Sequence, residues 1–140
     1  MKYLKPLLQI NFQGISKEKV NKRIEKLSES LDLIEFSNIQ ARNLPNGIAR
    51  KLCFSMAIIG NPRILLLDDP ASGLDPVARR KMWSLLKKRQ EERTVLLSSH
   101  YVNDANALAD YTVILHKGRI KCSGSTEFLL KRYGQGYNLR

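Results

Sequence analysis

Three stretches of the chain place apolar residues three or four positions apart, a spacing typical of amphipathic helices. Ser16 can cap the first stretch, Gly60 suits the left-handed position after the second, and Asp75-Pro76 provides a cap and a first residue for the third. Their inward-facing residues are, in chain order, Val20, Ile24, Leu27 and Leu31; Ile48, Leu52, Met56 and Ile59; and Met82, Leu85 and Leu86. The pattern therefore predicts three helices, the second of them over residues 47–59.

Short apolar runs between these helices predict strands. Ile64–Leu67 is wholly apolar, which is typical of a strand buried on both faces in a parallel sheet. A second strand is predicted at Thr94–Leu97, followed by a helix at about Val102–Ala109. A hairpin is predicted next, with Tyr111–Leu115 and Arg119–Lys121 joined by a turn at Lys117-Gly118. The last predicted helix starts near Ser125 and carries Phe128 and Leu129. From residue 47 onward helices and strands alternate, which indicates an α/β layered fold with a mostly parallel sheet.

Composition places the chain among ordinary globular proteins. It has 140 residues, of which 43% are hydrophobic and 26% charged, and no apolar run approaches the ~20 residues of a membrane-spanning helix. The first six residues do not have the pattern of a signal peptide. Cys53 and Cys122 stand apart from any His/Cys cluster, so we expect two reduced cysteines and neither a disulfide framework nor a zinc site.

The net charge of +11 raises the question of an anionic partner. The basic residues are spread along amphipathic segments, and no aromatic-interleaved basic motif of the RNA-binding kind is present. Solvated helix faces are the favoured interpretation, attraction to anionic lipid near a membrane partner is a weaker one, and nucleic acid is not expected as a partner.

Four short segments carry side chains suited to chemistry, and their order is more informative than any one of them. Leu44–Leu52 contains a Pro-Asn-Gly turn before a helix, and Asp68-Asp69 follows the apolar strand. The turn Ser72–Pro76 comes next, and His100 ends the following strand. Taken singly, paired acids can cap a turn, and a lone histidine is more often structural than catalytic.

This order resembles the ATP-binding-cassette (ABC) transporter ATPases, in which a signature loop, Walker B acids, a D-loop and an H-loop follow one another. Residues 51–129 look closest to the A subfamily, the large lipid exporters. Gly124-Ser125 before Phe128-Leu129, and the tail Tyr133–Leu139, are also similar to that subfamily. The resemblance implies a partial P-loop NTPase-type three-layer fold, with the helical subdomain remainder and signature helix in 1–61 and the C-terminal part of the ATPase core in 62–140.

The resemblance also implies a role for each matched residue. Asp68 takes the position of the Walker B acid that helps to hold Mg²⁺, directly or through water, and a hard cation with few protein ligands needs a carboxylate there. Asp69 takes the position of the base that orients the attacking water, and His100 that of the switch residue at the γ-phosphate. The residues implied to bind nucleotide across a head-to-tail pair of domains are Pro45, Asn46 and Gly47 of the signature loop and Ser72, Gly73 and Asp75 of the D-loop.

Two departures from the family pattern lower the expected rate of hydrolysis. Pro45 and Asn46 stand where the family has serine and glycine, and proline has neither an N–H nor a hydroxyl to donate to phosphate. Asp69 stands where the family has glutamate and is one methylene shorter. A slow but active site and a degenerate, non-hydrolysing site of an asymmetric pair are both open interpretations.

A third departure is that no G-x-x-x-x-G-K-[ST] phosphate loop is present; Gly14 stands without the second glycine and the Gly-Lys pair. We therefore expect the sequence to start after this loop and the Q-loop, and we expect the isolated chain neither to bind ATP and Mg²⁺ nor to hydrolyse ATP. In the family the strand before this loop lies between the strand that His100 ends and Tyr111–Leu115, so two unpaired edges and marginal folding are expected.

Two hypotheses follow for the function. In the first, the chain is a piece of an ABC ATPase on the cytoplasmic face of a membrane, paired with a second nucleotide-binding domain and with transmembrane domains, and the whole protein uses ATP to move a lipid-like substrate. In the second, it is a non-catalytic interaction module that pairs with an intact cassette.

Overall fold

The computed structural model describes residue 2, residues 16–88 and residues 90–134, and shows a mixed helix and strand fold. Its helices are α1 (Lys17–Ser30), α2 (Asn46–Ile58), α3 (Pro76–Lys87), α4 (Val102–Leu108) and α5 (Thr126–Tyr133). Its strands are β1 (Ile64–Asp68), β2 (Thr94–Ser98), β3 (Tyr111–His116) and β4 (Arg119–Ser125), with single 3₁₀ turns at Ile34–Phe36, Ala41–Asn43 and Gln90–Glu92. The predicted α/β class is confirmed.

The chain divides into two compact units, Met1–Ser98 and Ser99–Arg140. The boundary predicted between residues 61 and 62 concerns the subdomains of a complete cassette and stays a prediction. Two features used in the sequence comparison, Gly14 and the tail from Gln135 to Leu139, lie outside the described residues.

Helix α1 forms where the apolar spacing predicts it. The Ser16 hydroxyl accepts the Lys19 N–H at 3.4 Å, which satisfies one of the free donors in the first turn. Val20 and Ile24 are buried, and Leu31 at the end of the helix is fully buried. This helix is therefore held by its apolar face against the rest of the first unit.

Helix α2 buries a face that matches the predicted one only in part. Leu52 is buried as expected, but Met56 is exposed, and the buried stripe includes Lys51, Phe54 and Ser55. The buried Ser55 hydroxyl meets its need for a hydrogen-bond partner by donating to the Lys51 carbonyl oxygen at 2.8 Å. Ile59, directly after the helix, is buried as predicted, so the prediction was wrong for Met56 and not for the whole stripe. Apolar spacing could not reveal a charged and a hydroxyl residue on the inner face.

The end of α2 also differs from the prediction. The left-handed residue is Asn61, with φ +54°, rather than Gly60. The Asn61 N–H donates to the Ile58 carbonyl oxygen at 3.0 Å and so closes the last turn. Asparagine tolerates this conformation because its short side chain can hydrogen-bond locally.

The first unit contains a parallel pair of strands in which Ile64 lies opposite Thr94 and Asp68 opposite Ser98. The prediction that β1 is buried on both faces was wrong. Leu65 is 4% exposed, whereas Leu66 is 69% exposed and its neighbour on β2, Leu96, is 68% exposed. The apolar run was read correctly as a strand, but no other described residues of this chain cover its second face.

The β1–β2 open face, made by Ile64 and Leu66 of β1 and Leu96 of β2, should make the isolated chain self-associate. We expect Leu66→Lys to reduce association without loss of folded structure, because the side chain already lies in solvent. The neighbouring change Leu65→Lys puts a charge into the core and should unfold the first unit. Sedimentation velocity with circular dichroism checks both, and equal association of Leu66→Lys and the unchanged chain would contradict the expectation.

Helix α3 begins at the predicted cap. One carboxylate oxygen of Asp75 accepts the N–H groups of Val77 at 2.9 Å and Ala78 at 3.0 Å, and Pro76 fills the first helical position. Met82 is 1% exposed, and Leu86 is also buried. This cap fixes the direction in which the helix leaves the preceding turn.

A charge cluster ties the loop after α1 to helices α2 and α3. Asp32, in the left-handed region at φ +55°, accepts two hydrogen bonds from the Lys81 ammonium at 2.6 and 2.7 Å. The Lys51 ammonium lies 3.8 Å from the same carboxylate, on a side chain that is almost wholly buried. A buried lysine is tolerated only beside a compensating charge, so the cluster explains how Lys51 occupies the inner face of α2.

The second unit contains an antiparallel hairpin and two short helices. Strands β3 and β4 meet at Lys117 and Gly118, both at positive φ (+48° and +71°), as a two-residue hairpin turn requires. Ser125 caps α5 by accepting the Phe128 N–H at 3.1 Å. Within the described residues β2 pairs with β1, and β3 pairs with β4.

Candidate functional site

Two acids end strand β1, and a hydroxyl on the next strand holds the first of them. Asp68 lies opposite Ser98 in the parallel register, and the Ser98 hydroxyl donates to a carboxylate oxygen of Asp68. The other carboxylate oxygen accepts no described side-chain hydrogen bond. The register thus turns one carboxylate and one hydroxyl toward the same end of the sheet.

Asp69 follows in an unusual backbone conformation, with φ +42°. Its N–H donates to the Ser98 carbonyl oxygen and to the Ser98 hydroxyl oxygen, both at 3.1 Å. Left-handed geometry costs free energy for a residue with a Cβ, and such residues cluster at functional sites. The backbone bonds to Ser98 hold Asp69 in this conformation immediately after the strand.

Helix α2 points its first turn at the same region. The Arg50 guanidinium donates to the Asp69 carbonyl oxygen at 3.1 Å, which ties the signature helix to the paired acids. Pro45 is the N-cap residue of α2 and makes no side-chain capping bond, so the first amide groups of the helix lack an internal acceptor. Free amides at a helix start can bind an anion such as phosphate.

The turn after Asp69 packs against the start of α2. The Ser72 N–H donates to the Asp69 carbonyl oxygen at 3.2 Å, and Gly73 adopts φ +72°, a conformation that glycine adopts without strain. A Cβ atom at Gly47 would lie 3.8 Å from the Gly73 carbonyl oxygen and 3.7 Å from Leu74. The signature and D-loop segments are therefore in contact within the first unit.

These segments border one open cleft of about 700 Å³. Among its lining residues are Asn46 and Gly47 of the signature loop, Arg50, Asp68, and Ser72 and Gly73 of the D-loop. The cleft thus brings together three of the four segments that the sequence analysis singled out. His100 belongs to the second unit, where its ring lies against Tyr101 with centroids 4.0 Å apart.

Asp75 caps helix α3, and the capping hydrogen bonds change the pKa of its carboxyl group. The Ala78 N–H lowers the pKa of this carboxyl below its ordinary value, helped by the Val77 N–H and by the positive charge of Lys51 and opposed by partial desolvation. The first turn of α3 therefore favours the ionised form of Asp75.

A carboxyl whose pKa falls on folding stabilises the fold above its unfolded pKa, and the contribution is lost as pH drops through the folded pKa. Asp75→Asn keeps a capping oxygen but has no carboxyl to protonate. We therefore expect its free energy of unfolding to fall less than that of the unchanged chain when the pH is lowered below about 4. Urea unfolding at pH 6 and at pH 3 checks this. An equal loss of stability in both proteins would contradict the proposed source of the shift.

The described residues offer one carboxylate suited to a metal ion that has few protein ligands. No group of three His, Cys, Asp or Glu side chains in the described part of the chain is placed to hold a metal ion. Mg²⁺ commonly takes one or two protein oxygens and completes its octahedron with water and phosphate oxygens. The carboxylate of Asp68 beside the Ser98 hydroxyl fits that mode of binding.

Comparison with known proteins gives the same family as the motifs. The chain is 41% identical over 127 residues to ATP-binding cassette sub-family A member 9 from Homo sapiens and 43% identical over 127 residues to the ABC-type organic anion transporter ABCA8B from Mus musculus. Each match covers 91% of this chain and 8% of the relative. No protein-family model matches.

Solved structures show the same fold. An ATP binding subunit of an ABC transporter superposes with a TM-score of 0.81 at 24% identity, over 94% of this chain and 56% of that one. The bacterial ABC transporter cassette MJ0796, solved as a dimer, gives a TM-score of 0.72. The chain is an A-subfamily-like segment of an ABC nucleotide-binding domain. This ABC segment spans 8% of the length of the curated relatives named above, and slightly more than half of the solved cassettes.

Two residues of the ABC segment's site were not singled out in the sequence. Ser98 bonds to both acids, and Arg50 donates to the backbone carbonyl oxygen of Asp69. Ser98 could have been found because the carboxyl ends of parallel strands meet at one edge of a sheet. No signal in the sequence indicates that Arg50 reaches the carbonyl of Asp69, since that contact depends on how α2 packs.

Proposed function

We propose that this chain supplies the Walker B, D-loop, signature and switch residues of a nucleotide-binding domain in which ATP binding and hydrolysis drive transport across a membrane. The observation that carries the proposal is the pair of acids at the end of β1. Ser98 holds Asp68, and Asp69 leaves the strand in a left-handed conformation beside a cleft that the signature helix also lines. A cleft lined by the Asp68 carboxylate and by the first residues of a helix suits a metal-bound polyphosphate.

Each residue has a distinct task in this proposal. When bound, Mg²⁺ and ATP supply the polarised γ-phosphate. Asp68 is the metal-binding acid, and Asp69 orients the attacking water and accepts its proton. His100 contacts the γ-phosphate. Ser72, Gly73 and Asp75, with Pro45 to Gly47, face the nucleotide of a second nucleotide-binding domain arranged head to tail.

The wider setting of the chain is also a proposal. Among the described residues no helix has both the length and the apolar character needed to cross a bilayer. The family resemblance supports a setting at the cytoplasmic face of a membrane, with transmembrane domains and a second nucleotide-binding domain as partners. One relative is named a cholesterol transporter, human ABCA5, and another an organic anion transporter. A lipid-like substrate is therefore the proposed class.

The direct test is a chimera in which the 127 matching residues of human sub-family A member 9 are replaced by those of this chain. We expect slow, Mg²⁺-dependent ATP hydrolysis by the purified chimera, and His100→Ala should abolish it. His116→Ala, a histidine at the hairpin, is the matched control and should leave it unchanged. A correctly folded chimera that binds ATP but shows no hydrolysis above the His100→Ala variant would refute the catalytic form of the proposal.

The isolated chain should not bind ATP. Phosphate-loop amides and lysine provide most of the contacts to a polyphosphate, and the sequence contains no such loop. We expect no binding of ATP below millimolar concentration, with or without Mg²⁺, by isothermal titration calorimetry. Micromolar binding that Asp68→Asn weakens would contradict this expectation.

A non-catalytic role is the second candidate, and one observation favours it. Pro45 replaces the signature serine and leaves α2 without a side-chain cap, so the loop offers fewer donors to phosphate. In this case the chain pairs with an intact cassette without promoting hydrolysis. A chimera that assembles, binds ATP and does not hydrolyse it would support this alternative.

A further inference from the structure

The second unit buries one carboxylate that no role described so far uses. Asp104, in the first turn of α4, is 1% exposed. Among the described residues of this unit, Asp104 and Leu129 are the two that are buried. Burying a charge is costly unless hydrogen bonds compensate for it, so the position of Asp104 requires an explanation from its contacts.

The contacts of Asp104 enclose the loop that carries His100. The Ser99 hydroxyl donates to Asp104 Oδ2 at 2.5 Å, and the same hydroxyl oxygen accepts the Tyr101 N–H at 3.1 Å. The Asp104 N–H in turn donates to the Tyr101 carbonyl oxygen at 3.0 Å. These three bonds link the residues on either side of His100 into one closed ring.

The direction of each bond in this ring is fixed. A serine hydroxyl has one hydrogen, and the Ser99 hydroxyl donates it to Asp104 Oδ2. Its lone pairs are then left to accept the Tyr101 N–H. Asp104 Oδ1 has no hydrogen-bond partner in the described structure, so the bond from Ser99 is the side-chain bond that holds this carboxylate.

The ring also constrains the imidazole indirectly. The His100 and Tyr101 rings lie 4.0 Å apart at 37°, an offset contact that depends on the backbone direction at both residues. With the Tyr101 N–H held by Ser99 and the Tyr101 carbonyl held by Asp104, that direction has little freedom. We infer that Asp104, acting through the Ser99 hydroxyl, is a positioning residue that sets the orientation of His100.

The role of this ring in hydrolysis rests on the proposed function, but the ring itself can be tested without nucleotide. His100 and His116 are the two histidines of the chain, so each gives one Hε1–Cε1 signal in a ¹H–¹³C NMR spectrum of the 140-residue protein. Because the Tyr101 ring lies 4.0 Å from the imidazole, we expect it to displace the His100 signal from the value of a free histidine. We expect Ser99→Ala and Asp104→Ala to move the His100 signal toward that value and to leave the His116 signal in place.

Two further variants separate positioning from general support of the fold. Asp104→Asn keeps an oxygen that can accept the Ser99 hydrogen and should move the His100 signal less than Asp104→Ala does. The exposed Glu127→Gln in α5 should move neither signal. If Asp104→Ala unfolds the unit, so that both signals move, Ser99→Ala decides, because Ser99 is exposed and its removal leaves no buried cavity. An unmoved His100 signal in Ser99→Ala overturns the inference.

The chimera adds the functional measurement. Ser99→Ala should lower kcat about 10-fold or more with little change in KM for ATP, since a displaced group costs rate more than binding. If the NMR signal moves and kcat does not, the ring orients His100 but this orientation does not serve hydrolysis, and the link between the ring and catalysis is overturned. If the unchanged chimera is inactive, the proposed function fails while the NMR result still decides the geometry.

Discussion

Restoring the family residues in the signature loop, Pro45→Ser with Asn46→Gly, should raise ATP hydrolysis by the chimera by at least about 10²-fold. Each lost donor to a developing oxyanion costs about 3 kcal/mol, or roughly 10²-fold in rate, when the donor is already aligned. Pro45 has neither an N–H nor a hydroxyl, and it caps α2 without a side-chain bond. Serine would add both donors and a favoured N-cap, so the change improves the loop and the helix together.

The measurement is kcat at saturating ATP for the two single variants and the double variant. We expect Pro45→Ser to give the larger gain, since it introduces two donors, whereas Asn46→Gly mainly allows closer approach of the backbone. Asn43→Gly, in the preceding 3₁₀ turn, is a matched control that should leave kcat unchanged. No gain in the double variant would favour the non-catalytic module over the slow enzyme.

The elements that the sequence predicted well are those with both a pattern and a cap. Helices α1 and α3 begin at Ser16 and Asp75 because each has a side-chain acceptor one position before an amphipathic run. The hairpin was predicted because Lys117-Gly118 permits positive φ at both positions. In each case the decisive interaction is between residues close in the chain.

The failures concern contacts between distant segments. The inner face of α2 can contain Lys51 because Asp32, from the loop after α1, lies beside it. The sequence around Lys51 gives no indication of this distant partner. Strand β1 was expected to be covered on both faces, yet Leu66 is exposed, because whether a strand face is covered depends on elements elsewhere in the protein. The roles of Asp68 and His100 were predicted from family order, and they remain predictions.

The bond that joins Asp68 to Ser98 shows the same limit within the site. The residue types were visible in the sequence, but their pairing follows from a register in which Asp68 and Ser98 are opposite each other. That register is set by strand packing over five residue pairs rather than by either residue alone. The sequence was therefore enough to predict which chemical groups the site contains, but not how these groups are arranged.

Replacing the acid after the Walker B position, Asp69→Asn, should abolish hydrolysis by the chimera while ATP binding persists. A positioned general base typically contributes 10²–10⁴-fold, so we expect kcat to fall at least about 10²-fold. Asparagine has nearly the same shape and also tolerates the left-handed backbone that Asp69 adopts at φ +42°, so the fold should not change. Asp110→Asn, an exposed change in the second unit, is the matched control.

The longer acid gives the opposing test. Asp69→Glu extends the carboxylate by one methylene toward the position that the family's glutamate occupies, and a misplacement of about 1 Å can cost ~10²-fold. Glutamate adopts positive φ less readily than aspartate, so backbone strain offsets part of the gain in rate. We expect a rise in kcat with a small loss of stability. If Asp69→Asn and Asp69→Glu both hydrolyse ATP as fast as the unchanged chimera, Asp69 is not the base, and its left-handed turn serves to direct the chain from β1 into the D-loop.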